Sequence, residues 1–316
     1  MPHALNVIYF GSTVFPNPWK NKFAAYALVF LFWAGTTKVS ADVLYVANDM
    51  DSTILKVAAN GTSTVFANTG LNQPWSMAFD SGRSLYVANA YDNTITKFAP
   101  DGSHTLFADF GSTLLFAVAT DRSDNLYVSL GNEIYKYNSA GINLGLFANG
   151  FPLCQGMACD SAGNLYAANL MQNRIEKYTS DGTHTIFGTG VTSPYTLAFD
   201  ANSNLYVTAG DNSIYKYDST GAYLGVFATL TGVGNSPYGL AIDSAGNVYA
   251  AVANNHSVWK FGANGADLGA FISHAGFPTA VAFEPSAVPE PSTYALLLCG
   301  GLLILLRFPF LPQHNK

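Results

Sequence analysis

A unit of about 40 residues repeats six times along the middle of this 316-residue chain. Each copy contains a Leu-Tyr or Val-Tyr pair, and successive pairs lie 39 to 43 residues apart. The six tyrosines are Tyr45, Tyr86, Tyr127, Tyr166, Tyr206 and Tyr249. Each is followed by an apolar-x-Lys segment, a turn that ends in glycine, and a short run that ends in phenylalanine. A repeat of this length indicates one small structural unit that is used several times.

Each copy holds four short β-favouring segments separated by turn residues, and the 3.6-residue period of amphipathic helices is absent from 42–287. Four strands in about 40 residues is the period of a β-propeller blade. The first copy begins at its second strand, 43–47, and the last copy ends with a surplus first strand, 280–284. The sequence therefore predicts an all-β, six-bladed propeller over 42–287. Its C-terminal strand is expected to pair with the N-terminal strands, which brings the two ends of the propeller close together.

The segments 194–206 and 237–249 share the pattern Pro-Tyr-x-Leu-Ala-Phe/Ile-Asp-x-x-x-Asn-Leu/Val-Tyr. This pattern resembles NHL-type repeats, and the resemblance extends over all six copies. The resemblance implies a broad fold family that includes binding scaffolds, gluconolactonase-like hydrolases and virginiamycin B lyase-like enzymes. Because one fold carries many activities, the choice among these depends on the site residues.

The first 41 residues are typical of an export signal. Lys20 and Lys22 precede an uncharged apolar run over 23–35, which suits a signal peptide and is shorter than the roughly 20 residues of a membrane span. Small residues end this segment, so signal peptidase is expected to cleave after Ala41. An uncleaved N-terminal anchor is the alternative.

The last segment, 288–316, contains three ordered features: Pro289-Glu290-Pro291, an apolar run over about 293–306, and Arg307. This order resembles the PEP-CTERM sorting signal of Gram-negative bacteria. The resemblance implies a transmembrane helix, processing by an exosortase-type enzyme, and export, often alongside exopolysaccharide. The segment departs from the pattern in having one arginine rather than a cluster, and nine further residues. Whether the segment is cleaved stays open, and a simple C-terminal anchor is the alternative.

The segment between these two ends is acidic, with 9 Lys and Arg against 19 Asp and Glu over 42–287. An acidic surface repels nucleic acid, so no nucleic-acid partner is expected. Three cysteines are too few for a disulfide scaffold. Cys154 and Cys159 are too far apart on one extended segment to form a disulfide, and Cys159 is expected to be a buried thiol.

Loops before the first strand and after the second strand of each blade are expected to share one rim around the central channel. Several of these loops place aromatic rings beside amide and acidic side chains, a combination that suits sugar faces and hydroxyls. The candidate ligand-binding residues are Trp75, Tyr91, Asp92, Tyr195, Asp211, Tyr238 and His256. The alternative is that the proline–aromatic pairs belong to the repeat and pack blade against blade.

A propeller enzyme of the lactonase or lyase type needs acids or histidines that converge on the channel, with calcium or another divalent metal. The strands that line the channel carry neither, and the acids that end them recur once per blade as turn formers. These acids are Asp80, Asp121, Asp160, Asp200, Asp243 and Glu284. The rim residues that could form a polar cluster are Asp49, Asp51, Asp92, Asp211 and His256. His104 and His184 lie on outer strands and are expected to be surface residues.

The sequence favours an exported, envelope- or matrix-associated scaffold that binds a polysaccharide or a protein, without catalytic residues or a cofactor. The alternative is a metal-dependent lactonase- or lyase-type enzyme that uses the rim acids. A structural matrix protein without a small ligand is a third hypothesis.

Overall fold

The repeated apolar segments form twenty-four short antiparallel strands in six four-stranded sheets. The structure is a computed structural model, and it describes residues 42–150, 153–231 and 237–285. Within these ranges the helical content is one 3-10 turn, Ala253–Asn255. The predicted all-β, six-bladed propeller with four-stranded blades is confirmed.

In each blade, four strands follow one another from the central channel to the outer edge. Blade 1 contains β24 (Pro278–Phe283), β1 (Leu44–Asn48), β2 (Thr53–Val57) and β3 (Ser63–Ala67). Blade 2 contains β4 (Pro74–Phe79), β5 (Leu85–Asn89), β6 (Thr94–Phe98) and β7 (His104–Asp109). Blade 3 contains β8 (Leu115–Thr120), β9 (Leu126–Leu130), β10 (Glu133–Tyr137) and β11 (Asn143–Asn149).

The second half of the ring follows the same order. Blade 4 contains β12 (Met157–Cys159), β13 (Leu165–Asn169), β14 (Arg174–Tyr178) and β15 (His184–Thr189). Blade 5 contains β16 (Pro194–Phe199), β17 (Leu205–Ala209), β18 (Ser213–Tyr217) and β19 (Tyr223–Thr229). Blade 6 contains β20 (Gly239–Ile242), β21 (Val248–Val252), β22 (Ser257–Phe261) and β23 (Asp267–Ser273).

Blade 1 is assembled from both ends of the propeller, as predicted. β1 pairs antiparallel with β24, and Val46 lies opposite Val281. The pairing continues past the strands, because the Glu284 N–H donates to the Val43 carbonyl over 3.0 Å. The Glu284 carboxylate also accepts hydrogen bonds from the Arg83 guanidinium of blade 2. The closing strand is therefore held within its own blade and by the next one.

The hydrophobic core lies between neighbouring blades. Six clusters of buried residues each combine side chains of two adjacent blades. In one of them the Tyr166 ring packs edge-on against Phe187 of its own blade and Phe199 of the next, with both centroid distances 4.8 Å. Lys177 Nζ lies 5.2 Å from the centre of the same ring. The tyrosine, lysine and phenylalanine of the repeat thus form one contact unit.

Five of the six acids that end the innermost strands accept hydrogen bonds from the turns that follow, as predicted. The sixth, Glu284, contacts Arg83 and Lys56 instead of a turn. Asp200 Oδ1 accepts the backbone N–H groups of Asn202 and Asn204, each over 2.9 Å. Its Oδ2 accepts the Asn204 side-chain amide over 2.8 Å. Asp121, Asp160 and Asp243 make the same contacts within their own turns.

Both described cysteines are free thiols. Burial raises the pKa of the Cys154 thiol to about 12 and also raises that of Cys159. Cys159, which the repeat pattern predicts to be a buried thiol, is half-buried and packs against the core between blades 3 and 4.

The predicted signal peptide over 1–41, its cleavage after Ala41, and the predicted sorting signal over 288–316 lie outside the described residues. The transmembrane helix predicted over about 293–306 falls in the same part of the chain and has no support from the structure. Within the described ranges, no helix has the length and apolar character needed to cross a lipid bilayer.

Candidate functional site

The central channel is narrow. Its narrow part is lined by the innermost strand of every blade, includes Trp75 and Tyr238 at one end, and encloses about 70 Å³. Pockets that enclose small molecules usually measure roughly 300–1,000 Å³, so the channel interior is too small for a sugar or a larger ligand. A ligand on the propeller axis would therefore contact the mouth of the channel rather than its interior.

Three of the predicted rim aromatics come together at one mouth. Trp75 lies on β4, Tyr195 lies on β16, and Tyr238 directly precedes β20. The ring centres of Trp75 and Tyr238 are 5.4 Å apart, and those of Tyr195 and Tyr238 are 5.5 Å apart. We call these three residues the mouth aromatic cluster. All three residues are half-buried, so part of each is exposed to solvent.

Small residues let these rings approach each other. A Cβ atom on Gly239 would lie 2.8 Å from Ala280 Cα, and one on Gly156 would lie 2.2 Å from the Tyr195 carbonyl oxygen. Such contacts with backbone atoms are too short for any side chain. Glycine therefore keeps the inner strands close where the aromatic residues enter the mouth.

The other blades place different residues at the equivalent position of the mouth. These residues are Thr279, Phe116 and Gln155. Thr279 is buried and donates its hydroxyl to the Pro74 carbonyl over 2.7 Å. Gln155 is half-buried, and its side-chain amide makes no hydrogen bond to a described residue. The mouth thus combines aromatic rings with an unpartnered amide. Burial and the neighbouring Tyr195 raise the pKa of Tyr238, which keeps its hydroxyl a neutral donor.

Tyr91 and Asp92, two further candidates, lie on the loop after β5 and do not join the mouth aromatic cluster. The Tyr91 residue is 71% exposed. Asp92 accepts hydrogen bonds from Asn72 and from Thr94, over 3.1 and 2.8 Å. The Asp92 carboxylate therefore links its own loop to the loop before β4.

Asp211 and His256 are likewise engaged close to their own loops. The Tyr215 hydroxyl donates to Asp211, and this hydrogen bond, with burial, raises the pKa of Tyr215 to about 12. The His256 backbone is left-handed, with φ of 52°, and its Nδ1 contacts the Gly276 carbonyl. The sequence predicts that these residues lie on one rim, but the structure does not bring their side chains together.

The rim acids proposed for a metal-dependent enzyme also include Asp49 and Asp51. Burial raises the pKa of Asp49. Across 42–150, 153–231 and 237–285, no three His, Cys, Asp or Glu side chains are grouped so that they could hold a metal ion.

A wider opening of about 450 Å³ lies at the opposite end of the channel, beside Asp80, Asp121, Asp160 and Asp200. These carboxylates accept hydrogen bonds from their own turns. They are therefore occupied by structural contacts.

One buried carboxylate was not among the predicted site residues. Glu176 lies on β14, and its side chain is 1% exposed. Its equivalents in the other blades carry no charge; they are Leu55, Thr96, Tyr135, Tyr215 and Trp259. A charged residue at a position that is otherwise uncharged was the sequence signal that could have identified it.

No protein-family model matches the chain, and no curated protein matches its sequence. Among solved structures, the chain is similar to one from a nidogen–laminin complex, with 18% identity and a TM-score of 0.69 over 78% of this chain and 99% of that chain. It is also similar to a protein of unknown function from Bacteroides caccae, with 14% identity and a TM-score of 0.62 over 78% of this chain and all of that chain. At such identities these likenesses show the fold alone, and the fold they show is the six-bladed β-propeller.

Proposed function

We propose that the protein is a non-catalytic binding scaffold whose ligand contacts the mouth aromatic cluster. The observation that carries this proposal is the convergence of Trp75, Tyr195 and Tyr238 from blades 2, 5 and 6, with ring centres 5.4 and 5.5 Å apart. Partly exposed aromatic rings at a concave mouth supply large contact area with few rotatable bonds.

A saccharide is the ligand class that this mouth favours. Sugar rings present apolar C–H faces that pack on aromatic rings and hydroxyl edges that need hydrogen-bond partners. The Gln155 amide has no partner among the described residues, so it is available to a hydroxyl. We therefore propose a polysaccharide partner ahead of a protein partner. The resemblance to NHL-type repeats is compatible with a scaffold, and the choice of a scaffold over the hydrolases and lyases of that family rests on the mouth residues.

The two ends of the chain support a location at the cell envelope or outside the cell. The export signal proposed over 1–41 would require signal peptidase, and the signal proposed over 288–316 would require an exosortase-type enzyme. Fractionation of cells that make the chain with and without 288–316 tests this part. Membrane association of both chains alike would overturn the sorting role of the tail.

Binding of neutral oligosaccharides to the full-length protein, measured on a glycan array and then by calorimetry, tests the ligand. Trp75→Ala is expected to weaken binding about tenfold, which corresponds to about 1.4 kcal/mol. Tyr91→Ala removes an exposed rim aromatic outside the cluster, and it should bind as the wild type does. Equal binding by both variants would contradict the proposal. A calcium-dependent rise in the melting temperature would favour the metal-dependent alternative.

A further inference from the structure

A second pocket, separate from the channel, lies at the side of the ring between blades 3 and 4. It encloses about 410 Å³. Residues at the end of β11 form one wall, including Phe147 and Asn149. Residues of blade 4 form the other wall, including Gln172, Arg174 and His184. We call this the inter-blade pocket. Its volume lies within the range of roughly 300–1,000 Å³ that small-molecule sites occupy.

Glu176 anchors the polar wall of the inter-blade pocket. Its carboxylate accepts hydrogen bonds from Arg174 Nε over 2.6 Å, His184 Nε2 over 2.6 Å and Asn169 Nδ2 over 3.1 Å. Burial alone would raise the pKa of Glu176, but these donors hold the pKa below its ordinary value. Glu176 is therefore an ionised group that fixes the orientation of the arginine and the histidine.

The fold itself does not require a carboxylate at this position. In blade 2 the equivalent residue, Thr96, accepts the same hydrogen bond from Asn89, also over 3.1 Å. A neutral hydroxyl thus makes the same contact with asparagine in blade 2. Burying a carboxylate costs free energy unless it is fully paired. Blade 4 is the only described blade that places an acid at this position, together with an arginine two residues before it.

Arg174 lines the inter-blade pocket and retains unused donors. Its Nε is bound to Glu176, and its Nη atoms make no hydrogen bond to a described residue. The side chain is 30% exposed, so the guanidinium is both positioned and accessible. A guanidinium held in this way presents a planar fork that matches the two oxygens of a carboxylate.

The remaining surface of the inter-blade pocket suits a sugar ring. The side chain of Asn149 is exposed at the edge of the pocket and makes no hydrogen bond to a described residue. Gln172 uses its carbonyl to accept from Asn169 over 3.2 Å, which leaves its NH₂ group for another partner. The half-buried Phe147 ring supplies an apolar surface. Amides beside an aromatic ring match the hydroxyls and C–H faces of a saccharide.

We propose that the inter-blade pocket binds a hexuronate, the carboxylate-bearing sugar unit of an acidic polysaccharide. Arg174 binds the carboxylate, and Asn149 and Gln172 bind ring hydroxyls. The acidic charge of 42–287 repels a densely charged chain at long range, so a single or widely spaced uronate is favoured. This pocket is distinct from the mouth aromatic cluster. The proposal for one site can therefore be contradicted while the proposal for the other site holds.

Calorimetry with the full-length protein tests the proposal, with glucuronate, its methyl ester, glucose, inorganic phosphate and a short Asp-containing peptide as probes. Glucuronate is expected to bind at least about tenfold more tightly than each of the others. Arg174→Lys keeps the positive charge but removes the planar pair of N–H donors. The affinity of this variant for glucuronate should be at least about tenfold lower than that of the wild type. Arg122→Lys makes the same change at an exposed arginine outside the inter-blade pocket, and it should bind as the wild type does.

A second variant separates loss of binding from loss of folding. Asn149→Ala changes an exposed side chain without a described partner, so its melting temperature should equal that of the wild type while glucuronate binding weakens. Trp75→Ala should retain the glucuronate binding that Arg174→Lys removes. Equal binding of the methyl ester, tighter binding of phosphate or peptide, or loss of glucuronate binding only in Trp75→Ala would each overturn the proposal.

Discussion

The repeated tyrosine of each blade contributes mainly through its ring. Tyr166 is 2% exposed, lies edge-on to two phenylalanines, and has Lys177 over its face. Its hydroxyl donates to Asp160 over 3.0 Å. The ring is therefore shared between two blades, whereas the hydroxyl serves a turn within one blade.

Replacement of the whole ring should be far more costly than removal of the hydroxyl. We expect Tyr166→Ala to lower the free energy of unfolding by about 3–5 kcal/mol, because it opens a cavity between blades. Tyr166→Phe should cost about 1 kcal/mol, the typical contribution of one hydrogen bond. Urea unfolding of both variants measures the difference. Equal destabilisation would show that the turn contact, rather than the ring, dominates.

The contribution of Glu176 to stability should depend on pH. Because the pKa of Glu176 is lowered in the folded protein, its stabilising effect is fully present above its ordinary value of 4.5. The effect is lost as pH falls through the lower, folded-state pKa. Glu176→Gln should therefore destabilise by about 1–3 kcal/mol at pH 7, and the difference from the wild type should shrink at acid pH.

Unfolding free energies of the wild type and the Glu176→Gln variant, measured at pH 7 and near pH 3, check this expectation. Glu133→Gln makes the same change at a half-buried position on β10 and serves as the matched control. A difference between wild type and Glu176→Gln that stays constant with pH would mean that the carboxylate is not ionised in the folded protein.

At the scale of strands, the spacing of β12 and β16 depends on Gly156. Its Cβ position lies 2.2 Å from the Tyr195 carbonyl oxygen and 2.5 Å from Thr196 Cα, and backbone atoms cannot move away locally. We expect Gly156→Ala to destabilise by about 1–3 kcal/mol through overpacking and to displace Tyr195 from the mouth aromatic cluster.

Thermal unfolding and tyrosine fluorescence compare Gly156→Ala with Gly82→Ala. The nearest atom to a Cβ on Gly82 is a side-chain oxygen of Asp80 at 3.3 Å, which can adjust. The control should therefore unfold close to the wild-type temperature. An equal effect of both substitutions would show that the inner strands tolerate wider separation.

Each blade carries a register shift at the same place between its third and fourth strands. In blade 1 the shift lies between Ile54 and Leu55, and in blade 4 between Ile175 and Glu176. The outermost strands also expose apolar side chains, such as Leu106 at 64%. A bulge bends an edge strand and disfavours its pairing with another chain. The bulges therefore protect six outer edges that closure of the ring leaves exposed.

The sequence predicted the elements better than the contacts between them. The spacing of Tyr45 to Tyr249 established blade number and closure, because each blade repeats the same packing unit. The convergence of Trp75, Tyr195 and Tyr238 could be predicted, because the three residues occupy equivalent positions of the repeat and these positions lie on one rim. The contacts of Glu176 with Arg174 and His184 were missed, because they depend on one acid that departs from the repeat and on the pairing of β14 with β15. His184 is a surface residue as expected, but its ring also contacts a buried carboxylate.

At the scale of the molecule, ring closure depends on β24. We expect a chain that ends at Gly276 to lose cooperative unfolding and to aggregate, because blade 1 would present the β1 edge and the channel would open. A chain that ends at Pro285 retains every described strand and should unfold as the full-length protein does. Circular dichroism and gel filtration distinguish the two. Cooperative unfolding of the shorter chain would contradict the closing role of β24.

The pairing of β1 with β24 also sets the order in which the molecule can be completed during synthesis. A ribosome makes β1 among the earliest strands and its partner last, so the earliest strand waits for nearly the whole domain before its neighbour exists. Blades 2 to 6 are each built from one continuous stretch and can form as they emerge. Until Phe283 is available the protein is an open arc with an unpaired edge, and any chaperone that binds it meets that arc rather than the finished ring.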